Sequence, residues 1–151
     1  MQDVVGRLLD ARWFAGLASV FVTFPYWSSG ISKTVAFSDG VAEMASYGLN
    51  PPLAFNLATI VCMFAGSALV IFTRRVWLGA GMLGVFTALT IPIAHDFWNM
   101  SGVEARTELF FVVEHIGLIG GLMLAAILSR RGDVKGKPCR QAPASVTRPQ
   151  A

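Results

Sequence analysis

Four long apolar stretches, Trp13 to Ser32, Leu53 to Phe72, Val76 to Ala94 and Leu109 to Leu128, fill most of the chain and are separated by short polar or charged connections. A hydrocarbon core of roughly 30 Å takes about 20 residues of helix to cross, and each stretch has about that length. The pattern predicts an all-α integral membrane protein, a four-helix transmembrane bundle over residues 1–131, followed by a disordered basic tail over 132–151. That tail is rich in Pro, Lys, Arg and small polar residues and has too little apolar surface to order itself. Between the first two stretches, Ser38 and Asp39 are candidate caps for a short helix running to about Tyr47, with Gly48 as its stop and Pro51 and Pro52 beyond. Val41, Met44 and Ala45 would form its apolar face while Asp39 and Glu43 face water. The segment reads either as a helix lying on the outer membrane surface or as an ordinary loop.

Composition removes alternatives. The 151 residues are 54% hydrophobic and 14% charged, with a mean hydropathy of +0.59, too apolar for an ordinary soluble domain. A net charge of +3 would suit nucleic acid. The positive residues, however, sit at the ends of the apolar stretches rather than along one face, so no nucleic-acid partner is expected. Arg7 and Arg12 precede the first stretch, Arg74 and Arg75 link the second to the third, and Arg130, Arg131, Lys135, Lys137 and Arg140 follow the fourth. The opposite connections carry Lys33, Asp39 and Glu43, then Glu104, Arg106 and Glu108. The positive-inside rule therefore puts both termini in the cytoplasm. Ser28 and Gly30 have the spacing of a signal-peptidase site, but the first stretch is long for a signal core and Phe24 to Trp27 crowd that region, so a retained span is expected.

Inside the spans, Gly16, Thr23 and Gly30 recur every seven residues, and Gly117 and Gly121 have the spacing that lets helix backbones approach. Gly79, Gly81 and Gly84 match Gly-x-Gly-x-x-Gly, but no strand precedes them, and packing is the expected role rather than dinucleotide binding. Pro25 and Pro92 free the carbonyls of Phe21 and Ala88 and are expected to kink their helices. Cys62 lies mid-span and Cys139 in the tail, which implies no disulfide framework. The lack of a Cys-x-x-Cys pair argues against thiol-disulfide exchange.

The ionisable residues carry the functional signal. His95 and Asp96 end the third span, and Glu108, Glu114 and His115 lie in the outer part of the fourth. Glu114 and His115 sit roughly 8 to 9 Å inside that span, deep enough that lipid exposure is costly, and are expected to face the bundle interior. Residues seven apart share a helix face, so Glu108 and His115 point together while Glu114 is turned away. A ligand pocket lined by His95, Asp96, Glu108 and His115 is expected, with Glu114 and Lys33 as structural polar groups, Glu114 directed to Lys33 or to a polar group on the first span. The alternative is that these groups satisfy one another and fix helix register. No metal is expected, because the spacing matches no ligand motif. Haem is disfavoured, because the two histidines lie at different depths.

Trp27-Ser28-Ser29-Gly30-Ile31-Ser32-Lys33 at the end of the first span is similar to the Gly-x-x-Lys signature of the DoxX family. Tyr47-Gly48-Leu49-Asn50-Pro51, the Gly66 to Leu69 region before Thr73-Arg74, His95-Asp96-Phe97-Trp98 and the glycine-bearing fourth span follow in that family's order, so the resemblance covers roughly residues 8–130. It implies a small four-helix protein of the bacterial inner (plasma) membrane, related to a subunit of a quinone-linked thiosulfate oxidoreductase and to partners of membrane redox-defence complexes. Many relatives carry a glutamate in the second span where Cys62 stands here, which argues against a mechanism built on that carboxylate and leaves Glu114 and His115 as the candidates to supply acidity from another helix. The expected function is an accessory subunit of a membrane-associated, quinone-linked redox system, either partnered with an oxidoreductase or homo-oligomeric. Catalysis by this chain alone is not expected. No cofactor is called for by the residues, although the reading leaves room for a quinone-like or lipid molecule between the helices. The alternatives are a small carrier or proton-coupled transporter using the His115, Glu108 and His95 pocket, disfavoured by the small number of spans and the lack of an internal repeat, and a purely structural assembly factor.

Overall fold

The computed structural model describes residues 2–135. Over those residues it contains six helices, α1 (Gln2–Leu9), α2 (Arg12–Val35), α3 (Phe37–Ser46), α4 (Pro52–Phe72), α5 (Val76–Ala94) and α6 (Gly102–Lys135), with a 3-10 turn at Phe97–Asn99 before α6. The short links make α4 and α5, and α5 and α6, antiparallel neighbours. α4 packs between α2 and α5, and α5 against α6, while α6 touches α2 only lightly. Tyr26, Met63, Val70, Ala80, Leu83 and Leu122 form the buried centre, each long helix of the bundle contributing at least one.

Three helical segments are long and apolar enough to cross a membrane: Pro52–Phe72, Val76–Asn99 and Gly102–Arg131. α2 has the length, at 24 residues, but Tyr26, Ser28, Ser29 and Lys33 dilute its apolar character. The outer surfaces carry large apolar side chains, with Phe21 67%, Phe72 82%, Phe110 69% and Leu128 64% exposed. Such a surface suits hydrocarbon and would be an aggregation hazard in water.

α6 starts earlier and ends later than the apolar stretch 109–128. Gly102 supplies a positive φ of 69° at its first residue, where an L side chain is strained, and Glu104 lies in the first turn, where the helix dipole favours an anion. The helix continues to Lys135, so the first residues of the expected disordered tail are helical. The rest of that tail, including Lys137, Cys139 and Arg140, lies outside the described residues.

Packing glycines are only partly those suggested by spacing. Thr23 is fully buried, a Cβ on Gly30 would lie 3.2 Å from the Phe64 ring, and one on Gly121 would lie 3.1 Å from Val22. Gly16 and Gly117 instead face open space. The closest approach is between α4 and α5, where a Cβ on Gly79 would lie 2.7 Å from the Gly66 carbonyl oxygen and one on Gly66 would lie 2.6 Å from the Leu83 side chain. Of the Gly-x-Gly-x-x-Gly pattern, Gly79 is a packing contact, and Gly81 and Gly84 face open space.

The segment after α2 is a helix, and two expectations about it are corrected. Ala36 occupies its N-cap without a side-chain hydrogen bond, so Ser38 and Asp39 fall in the first turn rather than capping it. Glu43 faces water only in part: its side chain is 41% exposed, and its carboxylate accepts a hydrogen bond from Lys33 on α2. Its buried face is Gly40 and Met44. Gly40 lets α3 rest on α4, since a Cβ there would lie 2.6 Å from Asn56 Oδ1, and the buried Asn56 donates from Nδ2 to the Phe37 carbonyl at 3.4 Å. Gly48, with φ +73°, then turns the chain toward α4.

These contacts order the glycines by consequence. Gly79→Leu should destabilise the detergent-solubilised bundle by about 1–3 kcal/mol or more through overpacking against backbone, whereas Gly117→Leu should melt within about 0.5 kcal/mol of the parent. Equal melting temperatures for the two variants would overturn the assignment of the α4–α5 contact as the tight one.

Candidate functional site

A cavity of about 520 Å³ lies in the half of the bundle that α3 covers. α2 contributes Pro25, Tyr26, Ser29 and Lys33, and α3 and its exit contribute Glu43, Met44, Tyr47 and Leu49. α4 adds Phe55 to Met63, α5 adds Phe86 to Ala94 with His95 at its end, and α6 adds His115 and Leu118. The walls are mostly apolar. Polar groups gather at two places, a floor and an upper end.

The floor is a hydroxyl relay. Thr87 donates to the Leu83 carbonyl at 2.8 Å, so Tyr26 donates to Thr87 Oγ1 at 2.6 Å. Both residues are buried, and the relay satisfies a phenol that burial would otherwise leave unpaired. At the upper end Lys33, at the last turn of α2, pairs with Glu43 across the α2–α3 junction. Tyr47 donates to the other oxygen of Glu43 at 3.4 Å. Burial, then the negative charge of Glu43, raises the Tyr47 hydroxyl above its ordinary pKa, which keeps it a donor.

The two histidines meet. His95 Nδ1 lies 2.7 Å from Glu108 Oε2, and the His95 and His115 rings stack edge to face at 4.7 Å. His115 Nδ1 lies 2.6 Å from the Phe111 carbonyl. A carbonyl only accepts, so Nδ1 carries the proton there. Of the residues singled out from sequence, His95 and His115 line the cavity, and Glu108 supports His95 from behind. Asp96 is turned elsewhere, accepting from Asn99 Nδ2 at 2.8 and 2.7 Å.

Glu114 departs from expectation. It is exposed on the outer surface of α6, and Lys33, its suggested partner, is taken by Glu43. The helix period explains this: with His115 turned inward, the residue before it is rotated about 100° away. Among the described residues, no group of three or more His, Cys, Asp or Glu is placed to hold a metal ion.

Sequence reasoning missed Glu43, Tyr47 and the Tyr26–Thr87 relay. A helical reading of 37–46 sets Glu43 and Tyr47 four apart on one face, and a tyrosine and a threonine mid-span each need a partner in hydrocarbon.

The pattern that defines the DoxX family matches residues 16–96, more than half of the chain, and the chain belongs to that family. The match takes in α2 to α5 with His95, whereas Glu108 and His115 lie beyond it. The chain is thus a small integral membrane protein with an internal, polar-ended cavity. It is similar to the inner membrane protein YphA of Escherichia coli (strain K12), 25% identical over 114 residues, which cover 74% of this chain and 79% of the relative. No solved structure matches.

The ion pair and the relay yield separate tests. Lys33→Met and Glu43→Gln should each destabilise more than their combination implies, with a coupling energy of about 0.5–3 kcal/mol in a double-mutant cycle. Thr87→Val should cost about 1–3 kcal/mol by leaving the Tyr26 hydroxyl unpaired. A coupling of zero, measured by melting in detergent, would mean that α3 is held by the packing of Gly40 and Met44 and by Asn56 rather than by the ion pair.

Proposed function

We propose that this protein is an accessory subunit of a membrane-associated, quinone-linked redox system of the bacterial inner membrane, holding a quinone-like or lipid molecule in its cavity. The observation that carries the reading is the cavity, with apolar walls along α4 and α5 and a polar end built from Lys33, Glu43, His95 and His115. That division matches an amphiphile, and pockets of this size suit small ligands. A chemical role in which the chain acts alone is not part of the proposal. The inner-membrane location follows that of the relative, the inner membrane protein YphA.

In this reading α2 is a fourth span. Trp13, Leu17, Phe21, Phe24 and Ile31 are exposed along it and suit a lipid-facing surface, and its single charged residue after Arg12, Lys33, sits at the last turn. Arg7, Arg12, Arg74, Arg75, Arg130 and Arg131, with Asp3 and Asp10, belong to the connections at one end of the bundle, while those at the other carry Asp39, Glu43, Asp96, Glu104 and Glu108 with only Lys33 and Arg106 as cations. By the positive-inside rule the arginine end is cytoplasmic, with both termini, and the cavity lies in the outer half of the bilayer.

Two experiments test this. Reporter fusions after Gly132 should read cytoplasmic and insertions at Ser101 periplasmic; the reverse pattern overturns the orientation. Gentle extraction of the parent chain should bring down an amphiphile and a membrane oxidoreductase. Ala58→Trp, which fills the cavity, should lose the amphiphile. An empty parent protein without a redox partner would overturn the function.

A further inference from the structure

The cavity continues beyond its own walls. A second groove of about 580 Å³ runs from Cys62 along the outer face of α5 down to Trp77, and it shares Cys62, Phe86 and Leu89 with the cavity. The residues lining it are all apolar. From Leu89 to Trp77 the helix rises roughly 18 Å, so the adjoining groove is long enough to take an apolar chain from the edge of the cavity toward the far end of the bundle.

The polar end restricts what can head such a chain. Lys33 is neutralised by Glu43 and Glu108 faces His95, so a charged head would enter without a counter-ion at membrane depth, where that is costly. His115 is different. Its Nδ1 proton is committed to the Phe111 carbonyl; in the neutral ring Nε2 is then an acceptor. Among the described residues Nε2 has no hydrogen-bond partner. His115 is half-buried and lines the cavity, so a ligand hydroxyl entering there would meet Nε2 as a ready acceptor.

We infer that the cavity takes an uncharged amphiphile whose head donates a hydroxyl hydrogen bond to His115 Nε2 and whose apolar chain leaves past Cys62, Phe86 and Leu89 to lie along α5. This rests on the cavity being a ligand site, as proposed above, and adds the head chemistry and the exit path. Phenols, hydroquinols and long-chain alcohols share that chemistry.

The test uses the full chain in a mild detergent, titrated at matched mole fraction with para-dodecylphenol, its methyl ether, para-hexylphenol, dodecanoate and dodecylamine. Apparent affinity is read from thermal stabilisation. The phenol should bind about tenfold more tightly than the ether, the value of one hydrogen bond, and His115→Phe should abolish that ratio. Gly81→Leu places a side chain in the groove where a Cβ meets nothing within 4 Å. It should remove the preference for dodecyl over hexyl and keep the preference for phenol over ether. Equal binding of phenol and ether overturns the hydroxyl contact while leaving the cavity a ligand site. Tighter binding of dodecanoate or dodecylamine overturns the uncharged head. An unchanged chain-length preference in Gly81→Leu overturns the exit path. Stabilisation by none of the five overturns both this inference and the ligand site on which it rests.

Discussion

The contact between the α4 and α5 backbones at Gly66 and Gly79 is the constraint on which the rest of the bundle depends. No side chain separates the helices there, so the Gly66 carbonyl approaches α5 closely, and Leu83 packs over the gap as one of the most buried side chains in the chain. Hydrophobic exclusion gives little net drive between helices in lipid, so close van der Waals packing of this kind holds them together. Farther along, toward α3, the same two helices carry Phe55, Cys62, Thr90 and Ile93 and face the cavity rather than each other. Contact at one end and the cavity at the other divide the α4–α5 interface into a tight half and an open half.

Polar groups then appear where that space needs them. The Tyr26–Thr87 relay closes the floor, and Lys33 with Glu43 ties α3 to α2 above it. His95 and His115 complete the upper end. Each has at least one partner, on another helix or in the backbone of its own helix, as expected for polar side chains inside a membrane bundle, and His115 keeps Nε2 free toward the cavity. Glu114 is the outlier: its exposure puts a carboxylate on the outer surface of α6 at a depth where the neighbouring His115 faces inward.

The four long helices and their order were legible because long apolar runs carry a strong signal, and the start of α4 at Pro52 and the limits of α5 were readable to within a residue, whereas the short α1, with no such run, was not expected. The meeting of His95, Glu108 and His115 was legible too, from the seven-residue spacing and the short loop between α5 and α6. What spacing could not supply was rotation. The same period that turned Glu108 and His115 alike toward His95 says only that Glu114 points elsewhere, not whether that direction is lipid or protein. Small-residue spacing likewise marked Gly121 correctly and Gly117 wrongly, because both lie on α6 and only one faces α2. Glu43 was assigned to water because an acidic residue near the membrane surface ordinarily seeks it. Its partner, Lys33, lies across a junction whose angle depends on Gly40 resting on Asn56.

The central claim is that the space between the upper halves of α4 and α5 is a ligand cavity and not a packing gap, and its most direct measurement is an experimental structure of the chain in lipid nanodiscs made from its native membrane. Elongated non-protein density is expected, with one end against His115 and the other passing Cys62 and Leu89 onto the outer face of α5. Phe55, Phe86 and Leu118 closed on one another, with no density between them, would contradict it.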